Sequence, residues 1–434
     1  MEPVKGLLDF IEKSPSCYQA VEQAVKELEN AGYVSLAENQ KWELNYGGKY
    51  YVIRNDSSLA AFHIPQQRPA GFHMIASHSD SPCFKIKENP EMAVENRYMK
   101  LNVEKYGGMI LSTWMDRPLS VAGRVVAKQK EQAAGQRDDK SAEGFVVTKT
   151  VAIDKDLFVI PNVAIHMNRE MNKGMEYNVQ TDMLPLYAGA EEADSFMELI
   201  AKEVGVEPES ILGTDLFLYN REKGCCFGAK EEFICAPRLD DLECVYASLQ
   251  AMLGATPKDY VNLMIIFDNE EVGSTTRQGA ASTFLQDTLK GICEGMEWPE
   301  GDYRRLLADS FMISADNAHA VHPNHPEKAD PTNRPYLNGG IVIKYHGSQK
   351  YTTDAISAAV MKDICERAQV PWQTYANRSD IAGGSTLGNI SAAQVPVSTV
   401  DIGLPQLAMH SAYETAGAKD VAYMIKAMQC FYEA

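Results

Sequence analysis

The sequence has no long uninterrupted apolar stretch and no basic leader ahead of one. It opens Met-Glu-Pro-Val-Lys-Gly-Leu-Leu-Asp-Phe-Ile-Glu, in which charged residues interrupt the apolar ones. A secretory signal needs a basic region followed by an apolar core, and a membrane-spanning helix needs about 20 mostly apolar residues. We therefore expect no signal peptide, no membrane partner and a cytoplasmic location.

Basic residues are scarce relative to acidic ones. The chain has 41 Lys and Arg against 59 Asp and Glu, which gives a formal charge of -18 at pH 7. A charge of this sign repels nucleic-acid phosphates and anionic membrane surfaces. We therefore expect no nucleic-acid partner.

Cysteine is sparse and irregularly placed. Nine cysteines are scattered from Cys17 to Cys430 in a chain of 434 residues, and the adjacent Cys225 and Cys226 lack zinc-finger spacing. An odd and dispersed set does not resemble a secreted disulfide framework. A reducing compartment fits this pattern best.

Apolar periodicity predicts helices and then short strands in the first part of the chain. Residues 3 to 31 repeat apolar positions at helical spacing and are closed by Gly32, which predicts two amphipathic helices. The runs Tyr50 to Arg54, Leu59 to Ile64 and Phe72 to Ser77 are typical of strands.

The pattern of apolar and polar residues changes twice after these strands. Between about residues 91 and 235, the strand-like pieces Met109 to Thr113, Val121 to Val126 and Phe145 to Ile153 surround a polar loop at Lys128 to Gly144. After Pro237, apolar strands alternate with amphipathic helices; the predicted strands are Val261 to Phe267, Phe311 to Ala315, Gly340 to Tyr345 and Val397 to Ile402. This alternation predicts an α/β sandwich with a mixed, largely parallel sheet. We assign residues 1–90 and 236–434 to this domain, and residues 91–235 to an inserted β-rich domain.

The segment from Val261 to Ser274 carries the most chemical information. Its apolar strand ends abruptly in Asp268, Glu270 and Glu271. Ligands gather at the carboxyl ends of strands in open α/β sheets, and adjacent carboxylates repel one another unless cations or protons compensate. The segment therefore predicts a metal site. The alternative is a solvated acidic turn that precedes a helix beginning near Ser274.

Other candidate ligands lie at similar positions. His78 and Asp80 follow the strand Phe72 to Ser77, and a carboxylate so placed can orient a metal-binding histidine. The remaining candidates are Asp240, Asp241, Asp316 and His410. Each has an ordinary alternative role, as a structural histidine, a helix cap, a turn former or a loop residue. Their shared position at element ends of one α/β domain favours the metal.

Five segments together resemble the aspartyl aminopeptidase family. They are His78-Ser-Asp-Ser-Pro-Cys, Pro237-Arg-Leu-Asp, Asp268-Asn-Glu-Glu-Val-Gly-Ser, Ser314-Ala-Asp-Asn-Ala-His-Ala-Val-His-Pro-Asn and Pro405-Gln-Leu-Ala-Met-His-Ser, and the similarity runs along nearly the whole chain. The resemblance implies a zinc-peptidase domain interrupted by a dimerisation domain, assembled as a tetrahedral dodecamer around an interior cavity. It also implies an aminopeptidase that removes N-terminal Asp or Glu from short peptides.

The resemblance further implies roles for individual residues. Two zinc ions would be held by His78, Asp240, Glu271, Asp316 and His410, with Asp240 bridging, and Mn²⁺ or Co²⁺ are conceivable substitutes. Glu270 would be the general base, and Asp80 would support His78. Three ligand carboxylates and a bridging hydroxide would balance the four charges of the two ions. Asp241 departs from the asparagine common at that position in the family; it would either raise the local proton affinity or face solvent.

The same comparison suggests three substrate contacts. Lys344 would bind the acidic side chain of the substrate. An equal alternative is that Lys344 is simply a solvent-exposed lysine at the end of a strand. His319 would lie near the substrate, unless it and His322 merely hold a turn. His166 would reach the active site of a partner subunit.

Two other functions share these features. One is a broader aminopeptidase or deacylase on the same di-zinc scaffold, because the pocket alone decides the substrate. The other is a catalytically silent assembly protein, which should tolerate loss of Glu270 or a ligand, yet every required residue type is present.

Overall fold

The computed structural model describes residues 2–128, 146–190 and 195–434. The predicted polar loop from Lys128 to Gly144 lies, apart from its first residue, outside this range. The chain divides into two compact units. The large unit comprises Met1–Ser81, Lys223–Met409 and Tyr413–Ala434, and the small unit comprises Pro82–Glu222 and His410–Ala412.

The α-helices are numbered in chain order. They are α1 Glu2–Lys13, α2 Cys17–Asn30, α3 Val179–Asp182, α4 Phe196–Val204, α5 Leu239–Gly254, α6 Phe284–Gly295, α7 Asp302–Ala308, α8 Ala355–Ala368, α9 Leu387–Ser391 and α10 Asp420–Tyr432. Helices α1 and α2 confirm the two predicted at the start of the chain. The chain leaves α2 through Gly32, whose φ of 84° suits glycine at a helix end.

The strands are numbered in the same way. They are β1 Val34–Leu36, β2 Lys49–Arg54, β3 Ser58–His63, β4 Gly71–His78, β5 Cys83–Val94, β6 Tyr98–Tyr106, β7 Leu119–Lys128, β8 Val146–Ala152, β9 Leu186–Gly189, β10 Ile211–Asn220, β11 Cys225–Phe227, β12 Phe233–Ala236, β13 Tyr260–Phe267, β14 Phe311–Ala315, β15 Ala318–His319, β16 Ile341–Tyr345, β17 Trp372–Ala376, β18 Ser398–Gly403, β19 Pro405–Leu407 and β20 Glu414–Gly417.

The main sheet of the large unit has the order β1-β2-β3-β13-β4-β14-β18-β16-β17. Its four central strands, β13, β4, β14 and β18, run parallel to one another. Alternate residues of β13 enter opposite cores: Leu263 and Ile265 pack on one face, and Met264 and Ile266 on the other. Helices cover both faces, which confirms the predicted α/β sandwich with a mixed, largely parallel sheet.

The small unit is built on the sheet β8-β7-β10-β5-β6-β9. Its pairings are antiparallel, and its own apolar core includes Phe84, Leu119, Phe158 and Phe196. The predicted strand from Met109 to Thr113 is wrong: residues 111–114 form a 3₁₀ turn, in which the Thr113 hydroxyl donates to the Ile110 carbonyl at 2.6 Å. Such local side-chain bonds compete with strand pairing.

The unit boundaries lie earlier in the chain than the sequence predicted. The first lies between Ser81 and Pro82 rather than at 90/91, because β5 pairs along its length with β6 inside the small unit. The second lies between Glu222 and Lys223 rather than at 235/236. Strands β11 and β12 belong with β20, β19 and β15 in a further sheet of the large unit.

Candidate metal centre

Three parallel strands bring acidic and imidazole groups to one edge of the main sheet. His78 is the last residue of β4, Asp268 follows β13, and Asp316 follows β14. In the β13–β4 register, Phe267 lies opposite His78, so the strands end together. Because the carboxyl ends of parallel strands share an edge, His78 converges there with Asp316 and with the turn that follows β13.

The His78 ring faces two of the predicted ligands. Its Nε2 lies 3.8 Å from Asp240 Oδ1 and 4.0 Å from Asp316 Oδ1. Its Nδ1 donates to the Asp80 carbonyl at 3.0 Å, which leaves the Nε2 lone pair directed at the carboxylates. Two atoms bound to one Zn²⁺ at about 2.0–2.2 Å each cannot lie more than about 4.4 Å apart. This geometry therefore fits a single ion between the three side chains.

The acidic turn after β13 contributes the neighbouring groups. Ligand atoms of His78, Glu270 and Glu271 lie within 4.8 Å of one another, as do those of His78, Asp240, Asp241 and Asp316. Residues 270–272 form only a 3₁₀ turn, and the next α-helix begins at Phe284. The alternative of an acidic turn that precedes a helix near Ser274 is therefore wrong.

Asp80 organises this turn. Its two carboxylate oxygens accept from the backbone amides of Glu270 and Glu271 at 3.1 and 3.2 Å. Its Oδ1 also lies 3.3 Å from His78 Nδ1. One carboxylate thus positions the predicted base, a predicted ligand and the histidine.

Asp241 does not face solvent, which excludes one of the two roles left open for it. Its side chain is buried, and Oδ2 accepts from the His78 amide at 3.1 Å. Burial raises its pKa well above the usual value, while His78 opposes that shift. The peptide bond that joins it to Asp240 is cis.

Glu414 was missed by sequence reasoning. Its Oε2 accepts from the Asp240 amide at 3.0 Å, and its side chain is buried. A separation of 174 residues leaves no local pattern to signal this contact. The residue supports the start of α5, where Ser81 also donates to the Asp240 carbonyl at 2.8 Å.

Burial and mutual repulsion make the whole cluster favour bound cations or protons. Burial raises the pKa of Glu270 to about 8, with His78 opposing and Asp316 adding to the shift. Burial likewise raises the pKa of Asp316, which Lys344 opposes. The pKa of His78 is raised despite its burial, because Asp241 and Asp80 stabilise the imidazolium. A divalent cation would compensate the repulsion among these carboxylates.

Lys344 is buried rather than exposed at its strand end. Its Nζ donates to the carbonyls of Asp316 and Asn317 at 2.7 and 3.3 Å and lies 3.6 Å from Asp316 Oδ2. Only 2% of its side chain is accessible, and Nζ lies 5.1 Å from the ring centre of Tyr351. The structure therefore rejects the alternative of an exposed lysine and places its charge beside a predicted ligand.

The remaining predicted residues lie in different settings. His319 is exposed and lines a cavity of about 280 Å³ together with His322 and Tyr375. His322 also holds a turn, because its Nδ1 accepts from the Asn324 amide at 3.1 Å. His410 and His166 belong to the small unit. His410 Nδ1 donates to the Gly108 carbonyl at 2.7 Å, and His166 is exposed.

Comparisons with known proteins agree over nearly the full chain. Residues 10–432 match the family model "Aminopeptidase I zinc metalloprotease (M18)". The chain is 47% identical over 438 residues to "Probable M18 family aminopeptidase 2" of Clostridium acetobutylicum, covering 100% of this chain and 99% of that protein.

Solved structures give the same result. A chain of the Ape4 and Nbr1 complex superposes with a TM-score of 0.93 at 34% identity, covering 99% of this chain and 85% of that one. The S. cerevisiae mApe1 dodecamer gives a TM-score of 0.83 at 26% identity, with 99% and 96% coverage.

Proposed function

The chain belongs to the M18 family of zinc aminopeptidases, and from that premise we propose that it removes N-terminal Asp or Glu from short peptides with two bound zinc ions. The observation that carries the proposal is the convergence of His78, Asp240, Asp316, Glu270 and Glu271 at one edge of the main sheet. A zinc aminopeptidase needs ligands and a separate base within reach of one another, and this cluster supplies both types of group.

The donor set supports the proposed division of roles. His78, Asp240 and Asp316 would hold one zinc ion, and their separations fit that role. Asp240, Glu271 and His410 would hold the second; His410 remains a ligand predicted from resemblance. The Nδ1–H of each histidine donates to a carbonyl oxygen, so Nε2 is the nitrogen suited to a metal. Mn²⁺ and Co²⁺ suit the same oxygen and imidazole donors.

Glu270 is the proposed general base. Bound zinc supplies Lewis acidity toward the scissile carbonyl and acidifies water. The Glu270 carboxylate would take the proton from the attacking water and pass it to the leaving amine. Asp80 holds the Glu270 backbone through its amide, so the base keeps a defined position beside His78.

The central experiment measures hydrolysis of Asp-, Glu-, Leu- and Lys-aminoacyl reporters after chelation and after addition of zinc, manganese or cobalt. We expect metal to restore activity on the Asp and Glu reporters. Glu270→Gln should bind the metal yet lose about 10²–10⁴-fold in kcat, because only the proton transfer is removed. A preference for Leu or Lys would keep the chemistry and overturn the acidic specificity. Inactivity with every metal would overturn the proposed reaction.

Lys344 is the proposed contact for the acidic substrate side chain. If its ammonium reads that carboxylate, Lys344→Ala should lower the Asp-to-Leu rate ratio at least about tenfold. If it acts only on Asp316, both rates should fall together and the ratio should stay constant. Lys350→Ala is a matched control, because Lys350 Nζ also donates to a carbonyl, that of Gly383, at 2.7 Å.

We also propose that the chain forms dimers that assemble into a tetrahedral dodecamer in the cytoplasm. Support comes from exposed apolar side chains around His166, namely Val163, Ile165 and Met167. His166 would act on the active site of a partner subunit, and His319 would contact substrate in its own. Mixing inactive His166→Ala and Glu270→Gln subunits should then restore part of the activity. Failure of mixed, exchanged assemblies to regain activity would contradict the role of His166.

Among the described residues, no helix combines the length and apolar character needed to cross a bilayer.

A further inference from the structure

Two cysteines face one another on the outer edge of the further sheet in the large unit. Strand β11 lies at the end of the order β11-β12-β20-β19-β15, and Cys225 pairs directly with Cys235 across the antiparallel ladder. Neither cysteine forms a disulfide in the structure. Because directly opposed residues project from the same face, the two sulfur atoms share one side of the hairpin.

The register brings the pair close to disulfide geometry. Directly opposed antiparallel residues have Cα atoms about 4.5–5.5 Å apart, within the range of about 4.4–6.8 Å that disulfides span. Their Cβ atoms lie about 4.5–5.5 Å apart, whereas a disulfide needs about 3.5–4.5 Å. A relative shift of about 1 Å would therefore close the bond. Strand β11 spans only Cys225–Phe227, and in its sheet it pairs with β12 alone, so the shift meets little resistance.

The two thiols differ in accessibility. Cys225 is exposed, with the Tyr413 hydroxyl 3.6 Å from its sulfur. Cys235 is half-buried, and its sulfur lies 3.1 Å from Thr415 Oγ1. Cys225 is therefore the thiol that a solution reagent meets first. Burial also raises the pKa of Cys235.

Cys226 is an unsuitable partner for either thiol. Successive side chains of a strand point to opposite faces, and Cys226 pairs with Ile234. A bond between Cys225 and Cys226 would require both side chains to turn to one side of an extended strand. The same reasoning separates Cys226 from Cys235.

We propose that Cys225 and Cys235 form a reversible oxidation site that closes a cross-strand disulfide by exchange with a low-molecular-weight disulfide such as oxidised glutathione. The Cys225 thiolate attacks one sulfur of the reagent and releases one glutathione thiolate. The Cys235 thiolate then attacks the Cys225 sulfur of the mixed disulfide and releases the second. The protein pair loses two electrons and two protons, the reagent gains the electrons, and the protons end on the two released thiols.

The bond would tie the edge strand to the segment that leads into the metal centre. Strand β12 ends at Ala236, four residues before Asp240. Ala236 pairs with Glu414, whose carboxylate accepts from the Asp240 amide. Oxidation therefore restrains a hairpin that is continuous with a proposed ligand, and should raise the midpoint of thermal unfolding of this unit.

Tryptic peptides separate the alternatives cleanly. Cleavage after Lys223, Lys230 and Arg238 places Cys225 and Cys226 in one peptide, residues 224–230, and Cys235 in the next, residues 231–238. Native protein is incubated with oxidised glutathione, its remaining thiols are alkylated, and the unreduced digest is analysed by mass spectrometry. We expect the two peptides to be joined with the loss of two hydrogens, and to separate on reduction.

Single substitutions identify the sulfur atoms. Cys225→Ser should lower the cross-linked fraction at least about tenfold, whereas Cys226→Ser, which alters an adjacent exposed thiol, should leave it within about twofold of the unmodified protein. The proposal is overturned if Cys225 and Cys235 are recovered alkylated or as glutathione adducts. It is equally overturned if the bond lies within residues 224–230, or if the cross-link persists in Cys225→Ser.

Discussion

The main sheet of the large unit and the sheet of the small unit use the ends of their strands differently. In the main sheet of the large unit, β13, β4 and β14 are parallel, so their carboxyl ends lie at one edge and carry His78, Asp268 and Asp316. In the small unit, neighbouring strands are antiparallel, so successive strand ends alternate between opposite edges. A parallel sheet therefore concentrates functional groups, whereas an antiparallel sheet distributes them.

The two units also place their predicted functional residues in different environments. Of the predicted ligands in the large unit, His78 and Asp240 are buried, and the carboxylates of Asp80 and Glu414 accept from the backbone amides of Glu270, Glu271 and Asp240. In the small unit, the apolar side chains of Val163, Ile165 and Met167 are exposed close together around His166. We expect substitutions in the first region to affect metal and reaction, and substitutions in the second to affect assembly.

The sharpest test compares two histidines of the same strand. His78→Ala should lower metal affinity and activity more than about 100-fold, because loss of a ligand should exceed the 10–100-fold typical of residues that orient ligands. His73→Ala on β4 should destabilise the fold through lost contacts with Tyr260 and Phe431 but leave the metal content unchanged. Metal analysis and unfolding midpoints measure both effects; equal metal loss in the two variants would contradict the assignment of His78.

The next test removes the group that organises the acidic turn. Asp80→Asn replaces an acceptor oxygen by a donor amide, so one of the two backbone bonds to residues 270 and 271 is lost. We expect metal affinity or activity to fall about 10–100-fold. Asp354→Asn is the matched control, because Asp354 also accepts a backbone bond, from Ser357 at 2.7 Å, as a helix cap that asparagine can replace. Equal losses in both variants would remove the special role of Asp80.

A substitution in the small unit tests the other half of the comparison. Met167 is 83% exposed, so Met167→Asp should not disturb the core of its unit. If this surface is buried on assembly, the introduced charge should raise the dissociation constant of the assembly at least about tenfold. Sedimentation should then show smaller species. The metal content per chain should stay constant. Met171→Asp is a nearby control on the same unit; an unchanged sedimentation profile for Met167→Asp would exclude this surface from the interface.

The smallest expected effect concerns acid stability. Burial lowers the pKa of His73 from 6.5 to about 4, so folding favours its neutral form. This contribution is fully present above about pH 6.5 and is lost as the pH falls toward about 4; at pH 5 the loss is about 2 kcal/mol. His73→Phe should therefore reduce the drop in unfolding free energy between pH 7 and pH 5. His325→Phe, at an exposed position, serves as control, and identical pH dependence in both variants would contradict the prediction.

Much of the large unit follows from local pattern. The strands β4, β13 and β14 have long apolar runs that end in chemically distinctive residues, so their type and ends were predictable. The strand predicted near Met109 failed because the Thr113 hydroxyl closes a turn, an interaction that apolar periodicity does not report. The unit boundaries differ from the predicted domain boundaries because β5 forms a hairpin with β6 and because β12 pairs with β20, far along the chain.

The sequence by itself determined the α/β class, the residue types at the proposed metal centre and the family, because periodicity and short motifs are local properties of the chain. Only the tertiary structure decided which groups meet. It buried Lys344 against Asp316, directed Asp241 to the His78 amide, and brought Glu414 to Asp240 across 174 residues. It also paired Cys225 with Cys235 through the register of a hairpin. Such contacts depend on strand order and register, which arise from the packing of the whole core and leave no signal in the neighbouring residues.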